Sequence, residues 1–159
     1  MGSRNCDWRQ FVKIPEKLFI LINPIMRFIL RSPIHWLFSN SLMLITFRGL
    51  KSGRVFTTPV RYIRYEKSIL CFSSTENNWW RNLLGGAEVK LNIKGREDSY
   101  LATAITEPEE TKKWLLYYLE LFPEDAVYHN IRLEQNKRLN QQDLALSIKQ
   151  AVLVRANLN

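Results

Sequence analysis

The segment from residue 87 to residue 106 restricts the possible fold more tightly than any other part of the chain. Val89, Leu91 and Ile93 are separated by single polar residues, which is the two-residue period of a strand with one buried face. Gly95 and Arg96 then turn the chain into a second extended run over residues 100–106. This pattern predicts an antiparallel hairpin, and it requires a core against which the apolar face can pack.

Four other short runs, rich in β-branched and aromatic residues, predict strands at residues 42–48, 55–65, 69–74 and 151–155. Pro59 lies inside the second run. Because proline has no backbone N–H, it marks a sheet edge, a bulge or a gap that faces a ligand. The runs are not organised as repeated strand–helix–strand units, so they predict an α+β fold, mainly antiparallel β, in which a small barrel carries peripheral helices.

Helices are predicted between these strands. The asparagines at positions 77 and 78 are suitable N-caps for a short helix over residues 79–84, which two glycines would end. A capping box that begins at Thr106 predicts a longer helix that stops before Pro123. The polar segment that follows has helical character around residues 126–133.

Composition indicates one ordered domain with an added N-terminal segment. The chain has 159 residues, of which 46% are hydrophobic and 24% charged, and these values exclude a disordered or collagen-like chain. Its two cysteines, Cys6 and Cys71, lie far apart in sequence, so no disulfide scaffold is predicted and a cytoplasmic location is favoured. We divide the chain into a helical segment, residues 1–38, and a barrel domain, residues 39–159.

The N-terminal segment mixes large apolar side chains with basic ones over residues 11–38. Its longest charge-free stretch, residues 18–26, contains Pro24 and is too short for a transmembrane helix, which needs about 20 apolar residues. An amphipathic helix is predicted instead. Two placements remain open: packing against the barrel, or peripheral contact with the anionic inner face of the cell membrane.

Positive charge is concentrated in the first part of the chain. Residues 1–65 contain 11 basic and 2 acidic residues, whereas the whole chain has 23 basic and 15 acidic residues and a net charge of +8. Such a field attracts phosphate groups on a cofactor, a nucleic acid or a lipid. Nucleic-acid binding is not predicted, because the basic residues alternate with long apolar side chains and no recognition motif is present.

Residues 49–54 form a basic turn, Gly-Leu-Lys-Ser-Gly-Arg, between two predicted strands. A glycine-containing turn of this kind can aim backbone N–H groups at one anion. Lys51 and Arg54 add positive charge, and Ser52 and Thr58 add hydroxyl donors. The turn therefore predicts a phosphate site, although the spacing of a nucleotide P-loop is absent and a solvated hairpin is the alternative.

Hydroxyl and aromatic residues follow within 30 residues of that turn. Ser73, Ser74 and Thr75 end a predicted strand, and Trp79 and Trp80 come a few residues later beside amide side chains. Paired tryptophans can enclose a flat heteroaromatic ring, although one of the two is expected to fill the core. The two histidines stand at unrelated positions, so no metal site is predicted.

Four motifs, taken in their order, resemble the deazaflavin-dependent nitroreductase and quinone reductase family. They are Arg31-Ser-Pro-Ile-His35, Gly49-x-Lys-Ser-Gly53, Thr58-Pro59 and Trp79-Trp-Arg-Asn-Leu83. The resemblance runs from about residue 23 to residue 106 and implies a split β-barrel, similar to flavin-binding domains of the pyridoxamine-phosphate-oxidase type. It also implies an oxidoreductase that uses coenzyme F-420, a deazaflavin with a phosphate and an oligoglutamate tail. The implied acceptors are small molecules: quinones, nitro compounds or enones.

The resemblance further implies which residues contact the cofactor. The basic turn would hold the phosphate and the tail, and the strand after it would run beside the ring. The implied contacts are Gly49, Lys51, Ser52, Gly53, Arg54, Thr58, Pro59, Val60, Ser73, Ser74, Thr75, Trp79, Trp80 and Asn82. The candidates for catalytic residues are Ser73, Ser74 and Tyr128.

Two positions depart from the family pattern, since Leu50 and Phe56 stand where the family usually carries cations. One phosphate needs fewer cations than a polyanionic tail, so FMN is kept as the alternative cofactor. A non-catalytic, membrane-associated protein that binds FMN, haem or lipid on the same scaffold is the alternative function. A homodimer is a further open prediction.

Overall fold

Residues 41–158 are described by a computed structural model, in which six antiparallel strands form a closed barrel. The strands are β1 (Leu42–Arg48), β2 (Val55–Tyr65), β3 (Ser68–Ser74), β4 (Ala87–Ile93), β5 (Arg96–Ile105) and β6 (Ala151–Leu158). Around the barrel they follow the order β1-β2-β3-β6-β5-β4, and β4 pairs again with β1. The predicted fold class is confirmed. The predicted N-terminal helix, the motif at residues 31–35 and Cys6 lie outside the described residues.

The β4–β5 hairpin has the register that its alternation predicts. Ile93 lies opposite Arg96, and Lys94 and Gly95 between them both have positive φ, 54° and 77°. Two left-handed residues in a two-residue loop match the right-handed twist of paired strands. The hairpin register continues to the pair Ala87 and Ala102, which sets Val89 and Leu91 on the buried face.

The apolar side chains form two layers, one inside the barrel and one between the barrel wall and the helices. The interior contains Ile45, Leu91 and Val154, whereas Leu70 and Leu115 belong to the outer layer. Cys71 points into the interior, where burial raises the pKa of its thiol to about 12. Cys71 is therefore a free, buried thiol whose reactive thiolate form is disfavoured.

The helices differ from the sequence predictions in type and boundaries. Residues 41–158 contain two α-helices, α1 (Pro108–Leu121) and α2 (Gln141–Gln150), and two 3-10 helices, Trp79–Leu83 and Pro123–His129. The predicted capping box is wrong, because Glu107 is the N-cap of α1 and its side chain makes no capping hydrogen bond. The residue before a proline disfavours the helical region, so α1 begins at Pro108, where the missing N–H has no cost.

The polar segment after Pro123 also folds differently from its prediction. The 3-10 helix there stops at Asn130, which adopts a left-handed conformation with φ of 57°. Residues 130–140 form a loop, and α2 then begins after Asn140, whose side chain accepts the Asp143 N–H. The sequence did not predict this helix, because its sequence is polar and it packs through few residues, buried Leu144 and Ser147 and half-buried Ile148.

Candidate functional site

Strand β2 changes partners along its length, so that among residues 41–158 its first seven residues have no strand partner on the side of β3. Residues 55–61 of β2 pair with β1, whereas β3 pairs with β2 only from Tyr62 to Tyr65. Within residues 41–158, residues 72–74 of β3 have β6 as their only strand partner. We call the opening between residues 55–61 of β2 and residues 72–74 of β3 the β2–β3 gap.

The hydrogen-bond alternation shows why the sheet does not close beside Pro59. The Gly49 N–H donates to the Arg54 carbonyl at 2.8 Å. Along the β1–β2 register, this places Pro59 opposite Leu44 at a position whose backbone groups face away from β1. Pro59 therefore faces the gap and brings no N–H donor to it. The β2–β3 register, continued past Tyr62, would set Pro59 opposite Ser74.

The end of β3 is held from the segment that follows it. The Ser74 carbonyl accepts the Asn77 N–H at 2.9 Å and the Trp80 Nε1–H at 3.0 Å. Asn77 Nδ2 donates to Ser73 Oγ at 3.5 Å, and the Ser74 hydroxyl accepts the Glu76 N–H at 3.2 Å. Ser73 and Trp80 are buried, so Trp80 is the tryptophan that fills the core.

The turn at residues 49–54 uses most of its backbone donors internally. Four of its six N–H groups donate within the protein, those of Gly49, Leu50, Gly53 and Arg54. The N–H groups of Lys51 and Ser52 have no acceptor among the described residues. An anion at this turn would therefore meet two backbone donors instead of six.

Both glycines of the turn are required by its geometry. A Cβ on Gly49 would lie 2.8 Å from the Phe56 ring and 2.8 Å from Ser52 Oγ. Gly53 has φ of +64°, a conformation that side-chain-bearing residues rarely adopt. The glycine spacing thus produces the tight turn that brings Phe56 against it.

The turn carries two exposed cations. Lys51 and Arg54 take part in no ion pair in the part of the chain that the structure covers. Arg48 differs from them, because its Nη1 donates to the Gly53 carbonyl at 2.9 Å and stabilises the turn. The arrangement can attract a phosphate through Lys51, Arg54 and the two backbone donors.

Asn82 joins the basic turn to the tryptophan-bearing 3-10 helix. Its Oδ1 accepts the Leu50 N–H at 2.9 Å, and its Nδ2 donates to the Trp79 carbonyl at 2.9 Å. One side chain thus spans two segments that are more than 30 residues apart in sequence. The turn and the 3-10 helix therefore lie side by side at one end of the barrel.

Aromatic rings continue across the same end. The ring centroid of Phe47 lies 5.8 Å from that of Phe56 and 5.8 Å from that of Trp79. Sequence analysis did not identify Phe47 as a site residue. Its signal was the alternation with Met43 and Ile45, which sets all three on the interior face. Phe56, at a position where the family usually has a cation, therefore packs on Phe47.

A second opening lies on the other side of β1. It is a groove of about 790 Å³ between the start of the turn and residues 87–90 of β4. Arg48, Glu88 and Lys90 line it, so its charge is mixed. Of the predicted contacts, Gly49 and Gly53 border this groove, whereas Thr58, Pro59 and Val60 border the β2–β3 gap.

Tyr128 lies away from the turn. It is on the second 3-10 helix and is 47% exposed. This helix reaches the far end of the β2–β3 gap, because Arg61 Nη1 lies 2.9 Å from Glu124 Oε1 and the His129 ring lies 5.9 Å from the Phe72 ring. The predicted catalytic candidates Ser73 and Tyr128 thus come from two different elements, β3 and the second 3-10 helix.

Comparison with known proteins identifies the family. The family model described as F-420H(2)-dependent quinone reductase matches residues 33–135. The chain belongs to this family. Membership confirms the resemblance found in the sequence, and with it the assignment to a class of F-420-dependent oxidoreductases. Comparison with curated protein sequences gives no match.

Similar solved structures include an FAD- and haem-binding protein from Mycobacterium smegmatis, with 13% identity and a TM-score of 0.49. The alignment covers 75% of this chain, which spans 61% of the length of that protein. A structure described as a domain-swapped dimer has 17% identity and a TM-score of 0.49, with 77% and 99% covered. A NimC/NimA family protein from Clostridium acetobutylicum has 8% identity and a TM-score of 0.44, with 89% and 82% covered. The assignment rests on the family match and not on these scores.

The residues present fit the phosphate end of an F-420 cofactor. Two unpaired cations, two backbone donors and the Ser52 hydroxyl meet at one exposed turn. The gap beside Pro59 provides a sheet edge without a strand partner among the described residues. Leu50, which is 70% exposed, adds no charge for a polyanionic tail.

Two searches of the described residues were negative. In residues 41–158 no group of three or more His, Cys, Asp or Glu side chains is arranged to hold a metal ion. Over the same range, no helix combines the length and the apolar character that crossing a membrane requires.

Proposed function

We propose that this chain transfers a hydride from reduced coenzyme F-420 to a quinone bound at the β2–β3 gap. The observation that carries the proposal is the position of the basic turn, with two unpaired cations, at one end of a strand edge that Pro59 keeps open. A planar ring bound along that edge would have its phosphate end at the turn. When bound, the reduced deazaflavin supplies the hydride, and the quinone also gains one proton and leaves as the hydroquinone.

The residues of the chain would bind, orient and enclose the cofactor. Lys51 and Arg54 would neutralise the phosphate, and the N–H groups of Lys51 and Ser52 would fix its position. Trp79, packed on Phe47, would cover one side of the ring. Ser73 and Ser74 belong to the end of β3 that borders the gap, and either hydroxyl would donate a hydrogen bond to a ring carbonyl.

The test is a titration of the purified chain with oxidised F-420, FMN, FAD and haem, followed by single-turnover reduction of menadione. We expect submicromolar binding of F-420 and oxidation of its reduced form when menadione is added. Absence of tight binding to all four ligands would remove the redox proposal.

FMN is the second candidate cofactor, and the turn favours it in one respect. Two backbone donors and two unpaired cations suffice for one phosphate, and the exposed Leu50 contributes no third charge. Tighter binding of FMN than of F-420 in the same titration would select this alternative.

Asn82 provides a test of the turn itself. We expect Asn82→Leu to raise the dissociation constant of F-420 about tenfold, because the hydrogen bond from the turn to the 3-10 helix and the one that orients Asn82 within that helix are both lost. Asn82→Asp keeps the acceptor for the Leu50 N–H and should raise the dissociation constant of F-420 less. Equal affinities for both variants and the wild type would show that the turn position does not affect binding.

Membrane contact is a separate proposal for residues 11–38, which lie outside the described residues. Lys13, Lys17, Arg27 and Arg31 supply its positive charge. We expect the full chain to co-sediment with vesicles of phosphatidylglycerol, and the variant with glutamine at these four positions to remain in solution. Equal partitioning of both proteins would argue against an electrostatic membrane contact.

A further inference from the structure

A buried carboxylate at the far end of the β2–β3 gap has a partner on each oxygen. The Asp125 side chain is only 9% exposed, and its Oδ1 lies 3.2 Å from Arg61 Nη1. Its Oδ2 accepts a short hydrogen bond from the Tyr118 hydroxyl. A buried charge is stable in a protein when it is paired and hydrogen-bonded, and Asp125 meets both conditions.

The three side chains come from three different elements. Arg61 belongs to β2 at the last position before the β2–β3 pairing begins, Tyr118 belongs to α1, and Asp125 belongs to the second 3-10 helix. The Arg61 guanidinium also lies 2.9 Å from Glu124 Oε1 and 4.7 Å from the centre of the Phe122 ring. Arg61 therefore holds the start of this 3-10 helix at three points.

Aromatic packing holds the other end of the same helix. The His129 ring lies 5.9 Å from Phe72 and 5.9 Å from Tyr118, both edge to face, and Phe72 is the first residue of β3 that does not pair with β2. Tyr118 therefore contacts both ends, through its hydroxyl and through its ring. Exposed Tyr128 lies between these two fixed points.

We infer that Arg61, Asp125 and Tyr118 form a positioning network. This network places the second 3-10 helix, with Tyr128, over the far end of the β2–β3 gap, where the quinone acceptor would bind. The inference rests on the proposed function for the identity of the acceptor. The three residues act through the helix and do not touch the reacting atoms. Loss of either partner leaves the buried carboxylate uncompensated, so the helix should move when a single partner is removed.

Burial affects the pKa of Asp125 in the opposite direction to its two partners. Burial raises the pKa of Asp125, whereas the Tyr118 hydrogen bond and the Arg61 charge lower it. Removal of Arg61 therefore takes away one of the two interactions that lower the pKa of Asp125 against the effect of burial. The carboxyl can then take up a proton or regain water, and it regains water when the helix leaves its place at the gap.

The test compares Arg61→Gln and Asp125→Asn with the wild-type full chain in menadione reduction by reduced F-420. We expect the KM for menadione to rise about tenfold, while kcat and the dissociation constant of F-420 change by less than about threefold. Arg61→Lys keeps the charge and should recover part of the loss. A loss of structure without a positioning role would instead lower kcat and F-420 affinity together.

A readout without turnover separates this inference from the proposed function. We expect menadione, added to the chain with oxidised F-420, to slow amide hydrogen exchange in residues 123–131 of the wild type and not of Arg61→Gln. If menadione gives this protection but the chain shows no turnover, the result supports the positioning network and contradicts the reductase proposal. Wild-type turnover with an unchanged KM in Arg61→Gln would overturn the network, as would an absence of menadione protection at residues 123–131.

Arg132→Gln is the matched control. It also breaks an ion pair, in which Arg132 Nε lies 2.7 Å from Asp143 Oδ2. This pair is on the loop beyond the 3-10 helix, where the Arg132 side chain is 74% exposed. We expect its KM and exchange pattern to match those of the wild type. If Arg61→Gln fails to fold, Tyr118→Phe removes one hydrogen bond and keeps the ring, and a raised KM is expected in the same direction.

Discussion

Replacement of both Lys51 and Arg54 by alanine is expected to raise the dissociation constant of F-420 about a hundredfold, because two charge-assisted phosphate contacts are lost. The protein should fold normally, since neither side chain takes part in an ion pair among the described residues. Fluorescence titration of the variant and the wild type at one ionic strength measures the change.

The matched control replaces Lys112 and Lys149, which are exposed on α1 and α2, by alanine. This variant has the same net charge as the first, so it separates a local contact from the general field of the protein. We expect its affinity to stay near the wild-type value. An equal loss in both variants, or no loss in either, would place the anion away from the turn.

Acidification from about pH 6.5 to about pH 4 is expected to remove up to about 3 kcal/mol of stability through His129 alone. Burial lowers the pKa of His129 from 6.5 to about 4. Between these values the unfolded chain binds a proton at this residue and the folded chain does not, so stability falls as the pH falls. Above about pH 6.5 this contribution to stability is fully present.

Urea unfolding of the wild type and of His129→Phe at pH 7.5, 5.5 and 4.5 checks this expectation. Phenylalanine keeps a ring against Phe72 and Tyr118 without a titratable group. Asp125 acts in the opposite sense, because its pKa is raised and the folded carboxyl takes up its proton first. This contribution is common to both proteins, so the difference between them isolates His129. Parallel pH profiles would contradict the assignment.

The turn at residues 49–54 shows how much of a local structure can be predicted from its own residues. Its glycines and its position between two strands follow from residue types alone, because a tight reversal needs positive φ or close approach. How many of its backbone N–H groups remain available to an anion depends on residues that are distant in sequence. One of its N–H groups is taken by Asn82, a residue more than 30 positions away.

The helices show features that the sequence predicted wrongly or did not predict. The sequence predicts a capping box at Thr106, yet Glu107 caps α1 because Pro108 suits the first helical position. For α2, an apolar face that consists of buried Leu144 and half-buried Ile148 is too weak a pattern to be recognised. The first error concerns a local backbone preference that the proline imposes, and the second concerns a helix that is held in place by packing.

The sequence by itself determined the antiparallel hairpins, the placement of glycine and proline, and the motifs that identify the family, because these depend on neighbours a few positions away. Only the tertiary structure decided that β2 leaves β3 at Tyr62, and that the turn meets Trp79 through Asn82. It alone brought Arg61, Tyr118 and Asp125 together. Contacts between residues distant in sequence depend on how the barrel closes, and no local pattern records that closure.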